Sequence, residues 1–149
     1  MHVTRHLLPI VTPLHRLLYR ATRGWVGDRF FGMRCFLLEH RGRKSGVIRE
    51  TPLLYVEHEG RYLVVGSNAG QDHPPAWSLN LAAEPRAHVR LGAQRRPVIA
   101  RRASDAEARQ LWPLLDSAFS GFARYRAGTR RQIDIVILEP RAHESAERL

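Results

Sequence analysis

Cysteine occurs once, at Cys35, which excludes an internal disulfide and any metal site built from several cysteines. At the start of an apolar run it reads as a small buried hydrophobe. Carboxylates are scarce: 14 Asp and Glu stand against 24 Lys and Arg, a net charge of +10. No apolar run approaches the ~20 residues of a membrane-spanning helix. Eight histidines are present, yet His-Glu-x-x-His and any His pair at helical spacing beside a carboxylate are missing, so no catalytic metal is expected. His40, His58, His73 and His88 fall at strand ends or in loops, where exposed histidine is ordinary. Gly-x-Ser-x-Gly is absent, and Gly66-Ser67-Asn68 is no substitute for a nucleophile elbow. The residue types that do acid–base or nucleophilic chemistry unaided are therefore lacking. If the chain is an enzyme, a cofactor must carry the reaction and the protein must orient it.

Lysine is nearly absent too. Of the 24 cationic residues only Lys44 is a lysine, and it lies within Gly42-Arg43-Lys44-Ser45-Gly46 between two apolar runs. Two glycines there bracket two cations and a hydroxyl, so backbone N–H groups and positive side chains can converge on one anion. Lysine is a compact point charge, whereas arginine is a planar fork. The loop reads either as a site for an anion such as phosphate or as a basic hairpin turn whose glycines supply positive φ. The net charge favours polyanionic ligands, nucleic acid or an acidic membrane surface.

At 149 residues the chain has the size of one domain. Residues 1–34 form an amphipathic arm and connector. From Pro13 onward the spacing Leu14, Leu17, Leu18 suits one helical face, interleaved with His15, Arg16 and Arg20. That arm either packs on the domain or lies on an anionic membrane. Pro9 and Pro13 interrupt the N-terminus and no small-residue cleavage site follows, so the expected placement is the cytoplasm, with peripheral contact at the inner face of the cell membrane as the variant.

Residues 35–140 read as the folded domain and 141–149 as a polar tail. Strands are expected at Cys35–His40, Arg49–His58, Arg61–Ser67, Ala87–Leu91, Pro97–Arg101 and Ile133–Leu138. Glu59-Gly60 is a tight turn between the second and third. Ala76–Leu81 reads as a short helix opened by Pro74-Pro75. Ser104 with Glu107 is a capping box, opening a helix that Pro113 should interrupt. Phe119–Tyr125 is an aromatic segment, read as a helical turn. Six antiparallel strands with helices in the connections make an α+β, mainly β chain, arranged as a closed or partly closed barrel.

One constellation suits a flat, phosphorylated ligand. Arg43, Lys44, Ser45 and Arg49 supply cations and a hydroxyl, and Ser67 and Asn68 end a strand with small polar groups. Trp77 and Asn80 share a helical face. The indole could lie along a ring system and the amide could bond its edge, or Trp77 could be a core residue.

In order and spacing, Gly42-Arg43-Lys44-Ser45-Gly46, Arg49, Thr51-Pro52-Leu53, Val65-Gly66-Ser67-Asn68-Ala69-Gly70, His73-Pro74-Pro75-Ala76-Trp77 and Asn80-Leu81 resemble the deazaflavin-dependent nitroreductase family. Trp112-Pro113 and the ending Ile135-Val136-Ile137-Leu138-Glu139-Pro140 fit it as well, so the resemblance spans roughly residues 35–140. It implies a split β-barrel binding coenzyme F420, a deazaflavin with a phosphate and an oligoglutamate tail. By motif match Arg43, Lys44, Ser45 and Arg49 would hold phosphate and tail. Thr51, Pro52, Leu54, Ser67, Asn68, Trp77 and Asn80 would line the deazaflavin. The family's C-terminal aromatic segment surrounds the substrate with tyrosines. Here Phe119 and Phe122 lack hydroxyls, which leaves Tyr125, Ser120 or water as the expected proton donor, with Tyr125 the catalytic candidate, and should make the acceptor pocket more apolar. The implied reaction is hydride transfer from reduced F420 to a small hydrophobic electron-poor acceptor: a quinone, an enone or a nitro compound. FMN on the same barrel is the alternative cofactor. A non-catalytic cofactor carrier or basic membrane-associated module is the alternative from another class. Recognisable nucleic-acid motifs are absent, so no nucleic acid is expected as a partner.

Overall fold

The computed structural model describes residues 29–30 and 33–142. The amphipathic helix expected from Pro13 onward lies outside the described residues, as does the tail from residue 143.

Seven strands pair among the described residues: β1 (Arg29–Phe30), β2 (Met33–Arg41), β3 (Ile48–His58), β4 (Arg61–Val65), β5 (Arg86–Leu91), β6 (Gln94–Arg102) and β7 (Ile135–Pro140). Their order is β1-β2-β3-β4-β7-β6-β5, and β2 also pairs with β5, so β2 to β7 close into a six-stranded antiparallel barrel. The two-residue β1, which sequence reading assigned to the connector, adds only a short antiparallel pairing with β2. Closure leaves β2 bonded on both sides over Leu37–Glu39, opposite β3 and β5. Glu59 and Gly60 both have positive φ in the tight β3–β4 turn. Three helices occupy the connections: α1 (Ala76–Ala83), α2 (Asp105–Ala118) and α3 (Gly121–Ala127).

The period-two alternation of the strands divides their apolar residues between two cores. Phe36 and Leu38, Tyr55, Tyr62 and Val64, Val89, Val98 and Leu138 fill the barrel, and Trp77 and Leu81 of α1 join this cluster. Phe36 stacks on Tyr55 at 4.6 Å between ring centroids, and Tyr62 meets both rings edge-on. The opposite faces of β4 and β7 carry Leu63, Ile135 and Ile137, which pack against Leu111 and Leu115 of α2 and Phe122 of α3.

The capping box forms as expected. The Glu107 backbone N–H donates to the Ser104 hydroxyl at 3.2 Å and the Ser104 N–H donates to the Glu107 carboxylate at 3.0 Å. Pro113, however, does not interrupt α2, which runs unbroken from Asp105 to Ala118. Proline removes one i→i−4 hydrogen bond and crowds the preceding turn. Here both Pro113 and Arg109, whose carbonyl loses its partner, lie on the exposed face, where water can satisfy the oxygen.

Candidate functional site

The β2–β3 hairpin ends in the glycine loop, which is tied down at three points. The Gly42 N–H donates to the Val47 carbonyl and the Gly46 N–H to the Gly42 carbonyl, both at 2.8 Å. The Arg41 guanidinium donates to the Gly46 carbonyl at 2.8 Å. The two glycines serve different ends. Gly46 has φ +72°, the left-handed turn conformation. Gly42 has no such φ; a Cβ there would lie 2.7 Å from Ser45 Oγ and 3.3 Å from Arg49 Nε, so its hydrogen lets those side chains close over the turn.

A cavity of about 390 Å³ lies where this loop meets the barrel mouth and α1. Arg43, Lys44, Ser45, Arg49 and Thr51 line it from the loop and β3, Trp77 and Asn80 from α1, and His40 from β2. Three cations face it, and among the described residues no carboxylate does. Among the described residues neither Lys44 nor Arg49 has an ion-pair partner. Trp77 is 6% exposed, so it is a core tryptophan that also forms part of the wall. Asn80 does not wait for a ligand's edge: it is 3% exposed, and its Oδ1 accepts from the Arg43 backbone N–H at 3.1 Å and from Arg43 Nη1 at 2.9 Å.

His40 overturns the expectation of an ordinary exposed histidine. It shares the inward face of β2 with Phe36 and Leu38, is buried, and contacts Thr51 Oγ1 at 2.9 Å and Asn80 Nδ2 at 3.1 Å. Burial, helped by the charge of Arg49, lowers its pKa to about 4, so the ring is neutral at pH 7. Alternation alone carried that signal, since His40 follows Phe36 and Leu38 at period two.

The remaining expected site residues lie away from this cavity. Pro52 of β3 pairs with Leu37 of β2, and Leu54 packs against the second core. Ser67 is nearly buried at the start of a 3₁₀ turn (Asn68–Gly70). Asn68 and Ala69 both have positive φ there, 46° and 53°. Asn68 Nδ2 is spent on its own loop, donating to the His73 carbonyl at 3.1 Å. Arg131, which sequence reading passed over, clasps this turn: Nη2 donates to the Gly66 and Ser67 carbonyls at 3.0 and 2.9 Å and Nε to that of Gln71 at 2.9 Å. No motif marks Arg131, because its partners are backbone oxygens some sixty positions away.

The aromatic segment is split. Phe122 is 6% exposed within the second core, where it packs with residues of α2 and β7. Phe119 meets it edge-on at 5.0 Å and stands 6.2 Å from Tyr125, and both are only partly buried. Tyr125 packs against Gly70, where an added Cβ would lie 3.4 Å from the ring. This contact joins α3 to the Asn68–Gly70 turn.

A sequence model of the family described as F420H(2)-dependent quinone reductase matches residues 13–140. The chain belongs to this family. An F420H(2)-dependent quinone reductase of Mycobacterium tuberculosis (strain H37Rv) is 32% identical over 141 residues, covering 92% of this chain and 95% of its own length. The solved structure of an F420-H2 dependent reductase, FDR-A, is 34% identical with a TM-score of 0.64, covering 70% of this chain and 93% of that one. A chain solved as a domain-swapped dimer is 31% identical with a TM-score of 0.68, covering 85% and 94%. As an F420H(2)-dependent quinone reductase family member, the chain is an F420-dependent oxidoreductase, with a quinone as the acceptor that fits its family. Its barrel matches the fold of the F420-dependent neighbour.

Proposed function

We propose that residues 35–140 form the cofactor-binding domain and that the cavity at the mouth of its barrel seats the anionic end of F420. The observation that carries this reading is the donor set. Three cations and two hydroxyls converge on a space to which the described residues bring no carboxylate, beside a tryptophan wall. A phosphate and an oligoglutamate tail are the chemistry such a wall takes. Arg43, Lys44, Ser45 and Arg49 would hold phosphate and tail. Arg43 is pre-oriented by Asn80, so little side-chain freedom remains to be lost when the anion arrives. Asn80 then contributes by positioning Arg43, and Thr51 stands with these residues at the cavity, while Pro52, Leu54, Ser67, Asn68 and Trp77 would line the deazaflavin.

Reduced F420 supplies a hydride equivalent, which suits a two-electron acceptor such as a quinone. The protein's share is proximity: holding the ring system against the acceptor in a near-attack arrangement. Phe119 and Tyr125, half-buried beside the Asn68–Gly70 turn, would line the acceptor site. The Tyr125 hydroxyl would give a proton to the developing quinol oxygen if held within hydrogen-bonding distance, with water as the competing donor. Phe119 keeps that pocket apolar and favours a bulky, flat acceptor.

The test is a fluorescence titration of the purified protein with F420 and FMN in parallel, repeated for Lys44→Ala. F420 should bind and FMN should bind far more weakly. Lys44→Ala should weaken F420 binding by about 1–3 kcal/mol, the range for a charge-assisted contact, and leave the melting temperature unchanged because Lys44 lies exposed in a turn. An unchanged dissociation constant returns the loop to a basic hairpin turn. Tyr125→Phe should slow turnover several-fold at constant F420 affinity, whereas full activity assigns the proton to water.

A further inference from the structure

Four residues at the cavity form one hydrogen-bonded chain whose direction can be deduced from its end. Arg43 meets Asn80 Oδ1 through its backbone N–H at 3.1 Å and through Nη1 at 2.9 Å. Both groups can only donate, so the Asn80 atom facing them must be the oxygen. The Asn80 amide nitrogen then faces His40 Nδ1 at 3.1 Å, and that nitrogen can only donate. His40 Nδ1 must therefore be the bare, accepting nitrogen. In a neutral imidazole the proton then sits on Nε2, 2.9 Å from Thr51 Oγ1. The Thr51 oxygen accepts that proton's hydrogen bond, which turns its own hydrogen away from His40, and Thr51 is itself a lining residue of the cavity.

Burial gives this chain its stiffness. His40 is 2% exposed and Asn80 3%, so a reversed arrangement would leave two donors facing each other out of water. The electrostatics point the same way. Arg43 and Lys44 from the loop and Arg49 from β3 face the cavity with His40, α1 brings no ionisable side chain to it, and the neighbouring Glu39 carboxylate is bonded to Arg90 and Arg95. Burial first and the charge of Arg49 second hold the ring neutral, and only the neutral ring has a bare nitrogen to accept from Asn80.

We propose that His40 is a positioning residue that sets the polarity of the Arg43–Asn80–His40–Thr51 chain, making Thr51 a hydrogen-bond donor into the cavity toward an anionic oxygen of the ligand seated there. The same chain ends on the Arg43 guanidinium, so one buried network orients both a cation and a hydroxyl toward the anion. The choice of F420 as that ligand rests on the function proposed above; the polarity does not. The anionic oxygen belongs either to a phosphate or to a glutamyl carboxylate, which share the acceptor chemistry that Thr51 requires.

Two measurements separate these layers. In ligand-free protein labelled with ¹⁵N-histidine, long-range ¹H–¹⁵N spectra at pH 7 should show His40 with a bare Nδ1 and a protonated Nε2. The opposite tautomer, or a rapidly exchanging mixture, would overturn the polarity whatever the cavity binds. Fluorescence titration with F420 then reads the consequence. Thr51→Val keeps the shape and loses the hydroxyl, and should raise the dissociation constant about tenfold, the effect of one hydrogen bond to a charged group. Thr51→Ser should restore it. His40→Phe should lose a similar factor, and His40→Gln, which can still accept on one atom and donate on the other, should recover most of it. Should His40→Phe fail to fold, the valine and serine pair carries the test alone. Wild-type affinity in Thr51→Val sinks the proposal. Absence of F420 binding to the wild-type protein sinks the cofactor reading instead, and the tautomer stands on its own spectrum. Inorganic phosphate and γ-glutamylglutamate, used as competitors, identify the source of the acceptor oxygen: the one whose competition weakens in Thr51→Val supplies it. If neither weakens, Thr51 does not donate to an anion.

Discussion

Single residues here act mainly through what they hold still. Arg131 ties three backbone carbonyls across a turn that keeps Asn68 and Ala69 at positive φ, a conformation costly for residues with a Cβ. His40 acts on both stability and site geometry, and its lowered pKa gives a signed prediction. The unfolded chain takes up a proton near pH 6.5, while the folded ring stays neutral down to about pH 4. Between those values the unfolded state binds more protons, so stability should fall as pH drops from about 6.5 to about 4 and lose nothing further through His40 below that. His88, also lowered by burial first and by Arg95, adds in the same direction. Thermal melts at pH 7, 5.5 and 4.5 should show a steeper decline in the wild-type protein than in His40→Gln. Parallel curves would mean that His40 titrates normally.

Among the elements, α2 carries the clearest local instructions and the one local contradiction. Its first turn has Ser104 as cap, Asp105 and Glu107 against the positive end of the helix, and Arg101 bonded to both Glu107 oxygens at 2.7 and 2.8 Å. The Arg101 hydrogen bond, then the Ser104 N–H, hold the Glu107 carboxyl at about 2. Ser104→Ala should cost about 1 kcal/mol, seen as a lower midpoint in denaturant with an unchanged slope. Pro113 opposes the helix locally, yet the amphipathic face with Leu111 and Leu115 buried on the second core overrides it. Pro113→Ala, on the exposed face, should therefore stabilise the protein by about 1–3 kcal/mol. A loss of stability would show that the helix path depends on the proline.

On the scale of the whole molecule, the net charge of +10 is the dominant physical feature. No helix of the described residues is long and apolar enough to cross a membrane. The sequence of residues 1–34 interleaves cations with apolar residues, a pattern whose membrane affinity can be measured directly. If the arm binds membrane, liposomes with anionic lipid should sediment the full chain and not a version beginning near Gly32, and salt should release it, since exposed charges are screened over roughly 8–10 Å near physiological ionic strength. The outcome we expect is that neither sediments; sedimentation of the full chain alone would assign the arm to the membrane.

The sequence alone determined the barrel strands, the capping box and the cationic loop, because period-two alternation, turn chemistry and a helix cap are written within a few neighbouring residues. It also carried the family, through motifs whose order and spacing survive in this chain. Tertiary structure decided what each motif residue touches. Closure of β2 on β5 and the docking of α1 at the barrel mouth bring His40, Asn80 and Thr51 together from positions up to 40 apart, turning an apparently ordinary histidine into the centre of a polar chain. The same folding takes Phe122 into the core and sets Arg131 on carbonyls some sixty residues away. Local patterns record which face of an element is buried; hydrogen-bond partners between distant elements exist only once the sheet has closed.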